Sequence, residues 1–267
     1  MINKIKLIVT CILLLFCSFS INALELNVEF SADAVQVSPG LPPLVSKMYV
    51  SKSAVRTEML QNGSRVTDIS YFKKGKRILL YPDQKTYMEQ TGLPIPSPKS
   101  GKSTKSPCDG VPNVKCKKLE KETLNKIKVQ KWQVERNVNG KIFKSTHWID
   151  NKRHLAVKDI FSDGGVSELK MLGKDKLNGR NVEKWESRYT HPSGQNRLSR
   201  QWYDIQLKMV IKEERPGGFL RELKNIKVKK QDKMLFKLPE NYKKLAVNKN
   251  TFNRQSNSQF KGRQGNK

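Results

Sequence analysis

The chain has 267 residues, with 52 Lys and Arg against 24 Asp and Glu, a net charge of +28. Hydrophobic residues make up 36% of it, enough to build a core, which excludes a disordered polyelectrolyte. Its single long apolar run is too short to span a bilayer, which excludes a polytopic helical membrane protein.

That run belongs to a leader. Lys4 and Lys6 form a basic start, Leu7 to Phe19 an apolar centre, and Ile21-Asn-Ala23 a cleavage site, so residues 1–23 read as a signal peptide. Phe16 is larger than the small residue that usually precedes a lipidated cysteine, which argues against acylation of Cys17. Export to the periplasm or the exterior follows. Cys108 and Cys116 then remain, and a lone cysteine pair in an oxidising compartment is expected to form one disulfide.

From residue 24 the chain reads as one β domain ending near residue 245. Leu26 to Phe30 alternates as a first strand. Lys47 to Val50, Val55 to Met59, Val66 to Phe72, Arg77 to Tyr81 and Thr86 to Glu89 follow, separated by short turns such as Asn62-Gly63. Residues 92–107 hold four prolines and read as a linker loop. Residues 246–267 are rich in Asn, Gln, Ser, Lys and Arg and read as a disordered basic tail. No stretch carries a sustained helical period.

Between the linker and the tail lies an internal repeat of about 53 residues. Residues 124–172 contain Leu124-Asn125, Trp132, Trp148-Ile-Asp150 and Glu168-Leu-Lys170. Residues 177–226 contain Leu177-Asn178, Trp185, Trp202-Tyr-Asp204 and Glu222-Leu-Lys224. Asn139-Gly140 and Ser193-Gly194 fall at the same relative place and read as equivalent hairpin turns. The repeats supply about eight strands. Two units do not close a solenoid, so they extend one antiparallel sheet. The fold class is mainly β: a single curved, open antiparallel sheet, or half-barrel, with few helices.

Chemistry-bearing patterns are sparse. His147, His154 and His191 have no metal-ligand spacing, so no metal and no cofactor is expected. Ser-His-Asp sets can be drawn from a chain this long, but none sits in a Gly-x-Ser-x-Gly elbow, and no catalytic residue is assigned. Gly101-Lys-Ser-Thr104 lacks the upstream glycine of a phosphate-binding loop. A non-enzymatic role is expected.

Trp132, Trp148, Trp185 and Trp202 are the most informative side chains. They are either sheet core or the lining of a concave face that contacts an apolar ligand, and an open half-barrel permits both. The charge adds a second expectation. Residues 108–240 carry +14 and the tail from 241 carries +7 without an acid, which either favours lipid head groups, lipopolysaccharide, polysaccharide or nucleic acid as a partner or is only a soluble lysine-rich surface.

Phe30-Ser-Ala-Asp33, Lys47-Met-Tyr-Val50, Val55-Arg-Thr-Glu58, Tyr81-Pro-Asp-Gln-Lys-Thr-Tyr87, the two Trp-x-Asp strands and Phe236-Lys-Leu-Pro-Glu-Asn-Tyr242 together resemble the lipoprotein-carrier-like superfamily of the Gram-negative periplasm. LolA and LolB are its carriers, and the likeness is to an exported branch of it. The resemblance implies a curved half-barrel whose concave apolar face, capped by helices, holds acyl chains. It therefore implies a periplasmic carrier for a lipid or acylated ligand. This chain departs from the pattern at the lid, because the corresponding stretches from Pro39 and from Thr91 are rich in proline. No binding residue of the family transfers to a numbered position here. The competing reading is an envelope or extracellular protein that grips a polyanion or an assembly partner with its basic surface and tail.

Overall fold

The computed structural model describes residues 28–72, 75–91, 106–108, 111 and 113–245. The expected signal peptide, most of the linker loop and the basic tail lie outside the described residues. Six strands come first: β1 (Phe30–Val37), β2 (Leu44–Val50), β3 (Ala54–Gln61), β4 (Ser64–Tyr71), β5 (Lys76–Tyr81) and β6 (Thr86–Gln90). Nine more follow the linker: β7 (Val114–Leu124), β8 (Ile127–Val138), β9 (Lys141–Asp150), β10 (Leu155–Ile160), β11 (Val166–Leu177), β12 (Arg180–Thr190), β13 (Asn196–Asp204), β14 (Met209–Arg215) and β15 (Phe219–Val228). A two-residue strand, β16 (Lys243–Lys244), ends the described chain. Helix among the described residues is limited to three 3-10 turns, at 82–84, 216–218 and 233–236. Asn-Gly and Asn-Lys pairs with positive φ at both residues make the tight turns at 62–63, 125–126, 139–140 and 178–179. That backbone twist matches the twist of the flanking strands.

All sixteen strands form one sheet, in the order β16-β6-β5-β4-β3-β2-β1-β15-β14-β13-β12-β11-β10-β9-β8-β7. The sheet is open, because its two ends do not pair with each other. Every ladder is antiparallel except that of β16 with β6. The first six strands run as a meander outward from β1. The chain then crosses to the far edge, starts again at β7 and meanders back until β15 pairs with β1.

Residues paired across antiparallel strands share a face, so the ladders fix two faces. One is crossed by the C-terminal segment. Phe236 packs on Ala54, Ile69, Ile78 and Leu80, joined by Leu235, Leu238 and Tyr242. The segment is also pinned by polar contacts. Arg56 Nη1 donates to the carbonyl of Leu235 at 2.7 Å, and the Tyr71 hydroxyl donates to the carbonyl of Phe236. We call this the strap face. The other is the open face, crossed by no helix or strap among the described residues.

The largest core cluster gathers Phe30, Met48, Val50, Val182, Trp202, Leu207, Ile211 and Leu223 at one end of the strands. Register shifts between β1 and β15 and between β13 and β14 lie at that end. Such bulges re-aim side chains and bend the sheet, which brings residues from non-adjacent strands together.

Candidate functional site

The pairing separates the four tryptophans. Trp132 pairs with His147, so its chain neighbour Trp148 points to the opposite face. Trp185 pairs with Gln201, and Trp202 likewise points away from it. Following the ladders from β4 to β8 places Trp132 and Trp185 on the open face and Trp148 and Trp202 on the strap face. The expectation that all four line one concave surface is corrected by this register. The reason was legible in part: with a two-residue hairpin turn, Trp148 falls one position beyond the residue that faces Trp132.

Trp148 and Trp202 sit in matching settings. Lys131 and Lys158 flank Trp148 on the neighbouring strands, with Nζ 5.2 and 5.8 Å from the ring centroid. Lys184 and Lys212 flank Trp202 at 5.3 and 4.5 Å. The Trp148 indole N–H donates to Glu122 at 2.9 Å and that of Trp202 to Asp175 at 3.4 Å. These are cation–π sandwiches closed by a carboxylate, and they cover rings that are 7% and 6% exposed. The geometry is that of packed structure rather than of an empty ligand shelf.

The open face differs. In the first six strands it carries Met48, Met59, Val66, Leu79 and Met88 through the pairs Met59–Val66 and Leu79–Met88. In the repeat region it carries Leu169, Met171 and Trp185. A hollow lined by Ala34, Gln36, Leu44, Ser46 and Arg221 lies between the two groups. The apolar members are recessed: Met48, Val66 and Leu79 are 7% exposed or less.

Beneath that face, at the end of β9, a charged network fixes the junction of the two repeat stretches. Arg153 bridges Asp150 at 2.7 Å and Glu183 at 2.6 Å, and its guanidinium lies 5.4 Å from the Trp185 ring. The Glu183 carboxylate, with Asp150, raises the guanidinium above its already high range. Tyr203 lies beside it, its hydroxyl pushed up to about 12 by burial and by Glu183. Asp204, fully buried, binds Arg180 and accepts from the Leu207 amide at 2.8 Å. Cys108 and Cys116 form the expected disulfide, at the start of edge strand β7.

The structure also assembles a set of residues to which sequence reasoning assigned no role. His147 lies between Ser145 and Asp159 on the open face, with Nε2 2.7 Å from Ser145 Oγ and Nδ1 2.7 Å from Asp159 Oδ1. Ser-x-His on one strand was visible as a same-face pair. The partner aspartate was not, because a bulge at Val157 shifts the β9–β10 register by one residue and sets Asp159 opposite His147. Among the described residues, no cluster of three or more His, Cys, Asp or Glu is placed to hold a metal ion.

No protein-family model matches the chain, and no curated protein matches it. Solved structures with a similar arrangement do exist. A putative outer membrane lipoprotein-sorting protein domain from Vibrio parahaemolyticus is 10% identical, with 86% of this chain and 91% of that one covered at a TM-score of 0.33. A LolA superfamily protein from Nitrosomonas europaea is 8% identical, with 79% and 89% covered at 0.35. An uncharacterized conserved protein from Thermus thermophilus is 9% identical, with 83% and 91% covered at 0.31.

Proposed function

We propose that the protein is an exported binding or carrier protein whose open sheet face receives a lipid or an acylated ligand. The observation that carries this reading is the recessed apolar face itself. Met48, Val66 and Leu79 at one end and Leu169 and Met171 at the other lie on the same side of one continuous sheet, with Trp185 packed behind Arg153 on that side. No described helix or strap covers that side, whereas the opposite side of β3–β5 is closed by Phe236. A flexible alkyl chain suits such a surface, since each buried methylene contributes about 0.8 kcal/mol. Methionines add a deformable lining that accepts chains of varied shape. Lys118 and Lys121 stand on the same face at edge strand β7, where they favour an anionic head group.

The test is native mass spectrometry of protein exported by its own leader and purified without detergent, followed by titration with a fluorescent fatty acid. A lipid-sized adduct, displaced by the probe with a change in tryptophan emission, is the expected result. A protein that is free of adduct and indifferent to the probe overturns the proposal.

One observation favours the second reading, a polyanion partner. Lys115, Lys117, Lys118, Lys121, Lys126 and Lys128 gather along the β7 edge and its hairpin. Affinity for heparin that falls steeply with salt, and that is lost when these lysines are changed to glutamine, is what this reading requires.

A further inference from the structure

We propose that Ser145 is a base-activated nucleophile toward carboxylic esters, with His147 as its general base and Asp159 as the residue that positions the imidazole. The inference goes beyond the carrier reading and does not rest on it. The contact chain from Ser145 Oγ through His147 Nε2 and Nδ1 to Asp159 Oδ1 has two links of 2.7 Å. The Asp159 carboxylate can only accept, so it fixes the proton on Nδ1 and leaves Nε2 free to take the serine proton. That division of labour is the one a serine nucleophile needs, whatever the fold. His147 and Asp159 are direct cross-strand partners, and Ser145 is two residues along the same face of β9, so the sheet holds all three rigidly.

The surroundings supply a surface for a substrate. Phe161 lies 6.5 Å from His147, Tyr189 lies 6.0 Å from Phe161, and His191 lies 6.5 Å from Tyr189, a row of rings beside the serine. Gly165 makes the row possible. A Cβ there would sit 2.5 Å from the Tyr189 hydroxyl, so a larger residue would push the Tyr189 ring from its place. Phe143 precedes Ser145 on the same face and pairs with exposed Arg136. Arg136 is thus a diagonal neighbour of Ser145, about 7–8 Å away across the strands, a span that an arginine side chain covers. Arg136 is the cationic side chain placed on this face to meet a developing oxyanion. The substrate class is an ester with an apolar or aromatic body for the ring row and a carbonyl oxygen directed at Arg136.

The chemistry balances within these groups. Ser145 Oγ attacks the carbonyl carbon while its proton passes to His147 Nε2. The tetrahedral intermediate collapses, the C–O bond to the alcohol breaks, and the departing alkoxide takes the proton from Nε2. A water deprotonated by the same imidazole then cleaves acyl-Ser145, releases the acid and restores the hydroxyl.

The molecule carries its own control. Ser199, Gln201 and Glu213 occupy the matching places in the second unit, with Gln201 paired to Trp185 and Glu213 as His147 is to Trp132 and Asp159. His147→Gln therefore installs a residue that this sheet already accommodates. The experiment reacts the full chain with a fluorophosphonate and with p-nitrophenyl butyrate across pH 5–9 and maps the labelled peptide. Labelling at Ser145 is expected. Ser145→Ala should abolish it. His147→Gln should slow it by about 10²–10⁴-fold with an unchanged circular dichroism spectrum. Asp159→Asn should slow labelling with an unchanged circular dichroism spectrum, and Asp159→Glu should restore part of the rate, which a merely structural role would not do. No labelling above that of the urea-unfolded chain, labelling at another serine, or a wild-type rate retained in His147→Gln would each overturn the proposal.

Discussion

The two four-strand units, β8–β11 and β12–β15, are built to one plan and differ where their polar side chains meet. Both carry an open-face tryptophan, a lysine-flanked strap-face tryptophan, a buried aspartate at the end of the second strand and a bulge at the third. Val157 and Ile211 occupy the two bulges and are 3% and 2% exposed. In the first unit the polar row on the open face is Ser145, His147 and Asp159. In the second it is Ser199, Gln201 and Glu213, and Glu213 is held by Arg215 and Arg221. The row of three polar side chains thus belongs to the scaffold, while only the first unit places a histidine in it. The units also differ in position: only β7 separates the first unit from the sheet edge, while the second lies in the middle of the sheet.

The strongest test of this pairing of units is the pair of open-face tryptophans. Trp185 is fully buried and Trp132 is 7% exposed near the edge. Trp185→Ala should cost about 5 kcal/mol and Trp132→Ala about 3 kcal/mol in urea titrations. Equal losses would mean that edge and centre are packed alike. Next come the buried aspartates. Asp204→Asn removes the counter-charge of part-buried Arg180 and should cost about 3 kcal/mol. Asp150→Asn should cost less, about 1–2 kcal/mol, because Arg153 keeps both bonds to Glu183.

Opening the disulfide separates edge from centre more finely. Cys108 and Cys116 are 8 positions apart, and Cys108→Ser with Cys116→Ser should lower stability by about 2.5 kcal/mol through the freed unfolded chain. Hydrogen exchange should then quicken in β7 and β8 and leave β12–β14 unchanged. The last effect is silent at neutral pH. Burial raises the Tyr203 hydroxyl from 10.0 to about 12, so the folded state binds that proton more tightly than the unfolded chain does. Its contribution is complete below pH 10 and is lost as pH rises toward 12. Tyr203→Phe should flatten the stability profile over that interval; a profile identical to wild type would refute the assignment.

Much of the fold was legible because it is local. Asn62-Gly63 and Asn139-Gly140 demanded positive φ and gave hairpins where expected. Ser193-Gly194 also closes a hairpin, but through residues 191–195, joined by His191 N–H to the Gln195 carbonyl at 2.8 Å. That longer loop explains why Trp185 and Trp202 are 17 apart and Trp132 and Trp148 are 16 apart. The first strand was less legible: β1 begins at Phe30, where the alternation from Leu26 was read as a strand ending.

Residue order alone was enough to establish that the chain is β-rich, that Asn62-Gly63 and Asn139-Gly140 turn and that Cys108 pairs with Cys116, because dihedral preference, period-two alternation and loop closure act over a few residues. The assembled sheet was needed to show that β7 starts at the far edge, that β15 returns to β1 and that Phe236 closes one face of β3–β5. It also set Trp132 and Trp148 back to back and Asp159 against His147. Each of these depends on pairing between segments distant in sequence, and on bulges that shift register by one residue, which exchanges the faces of every side chain beyond them.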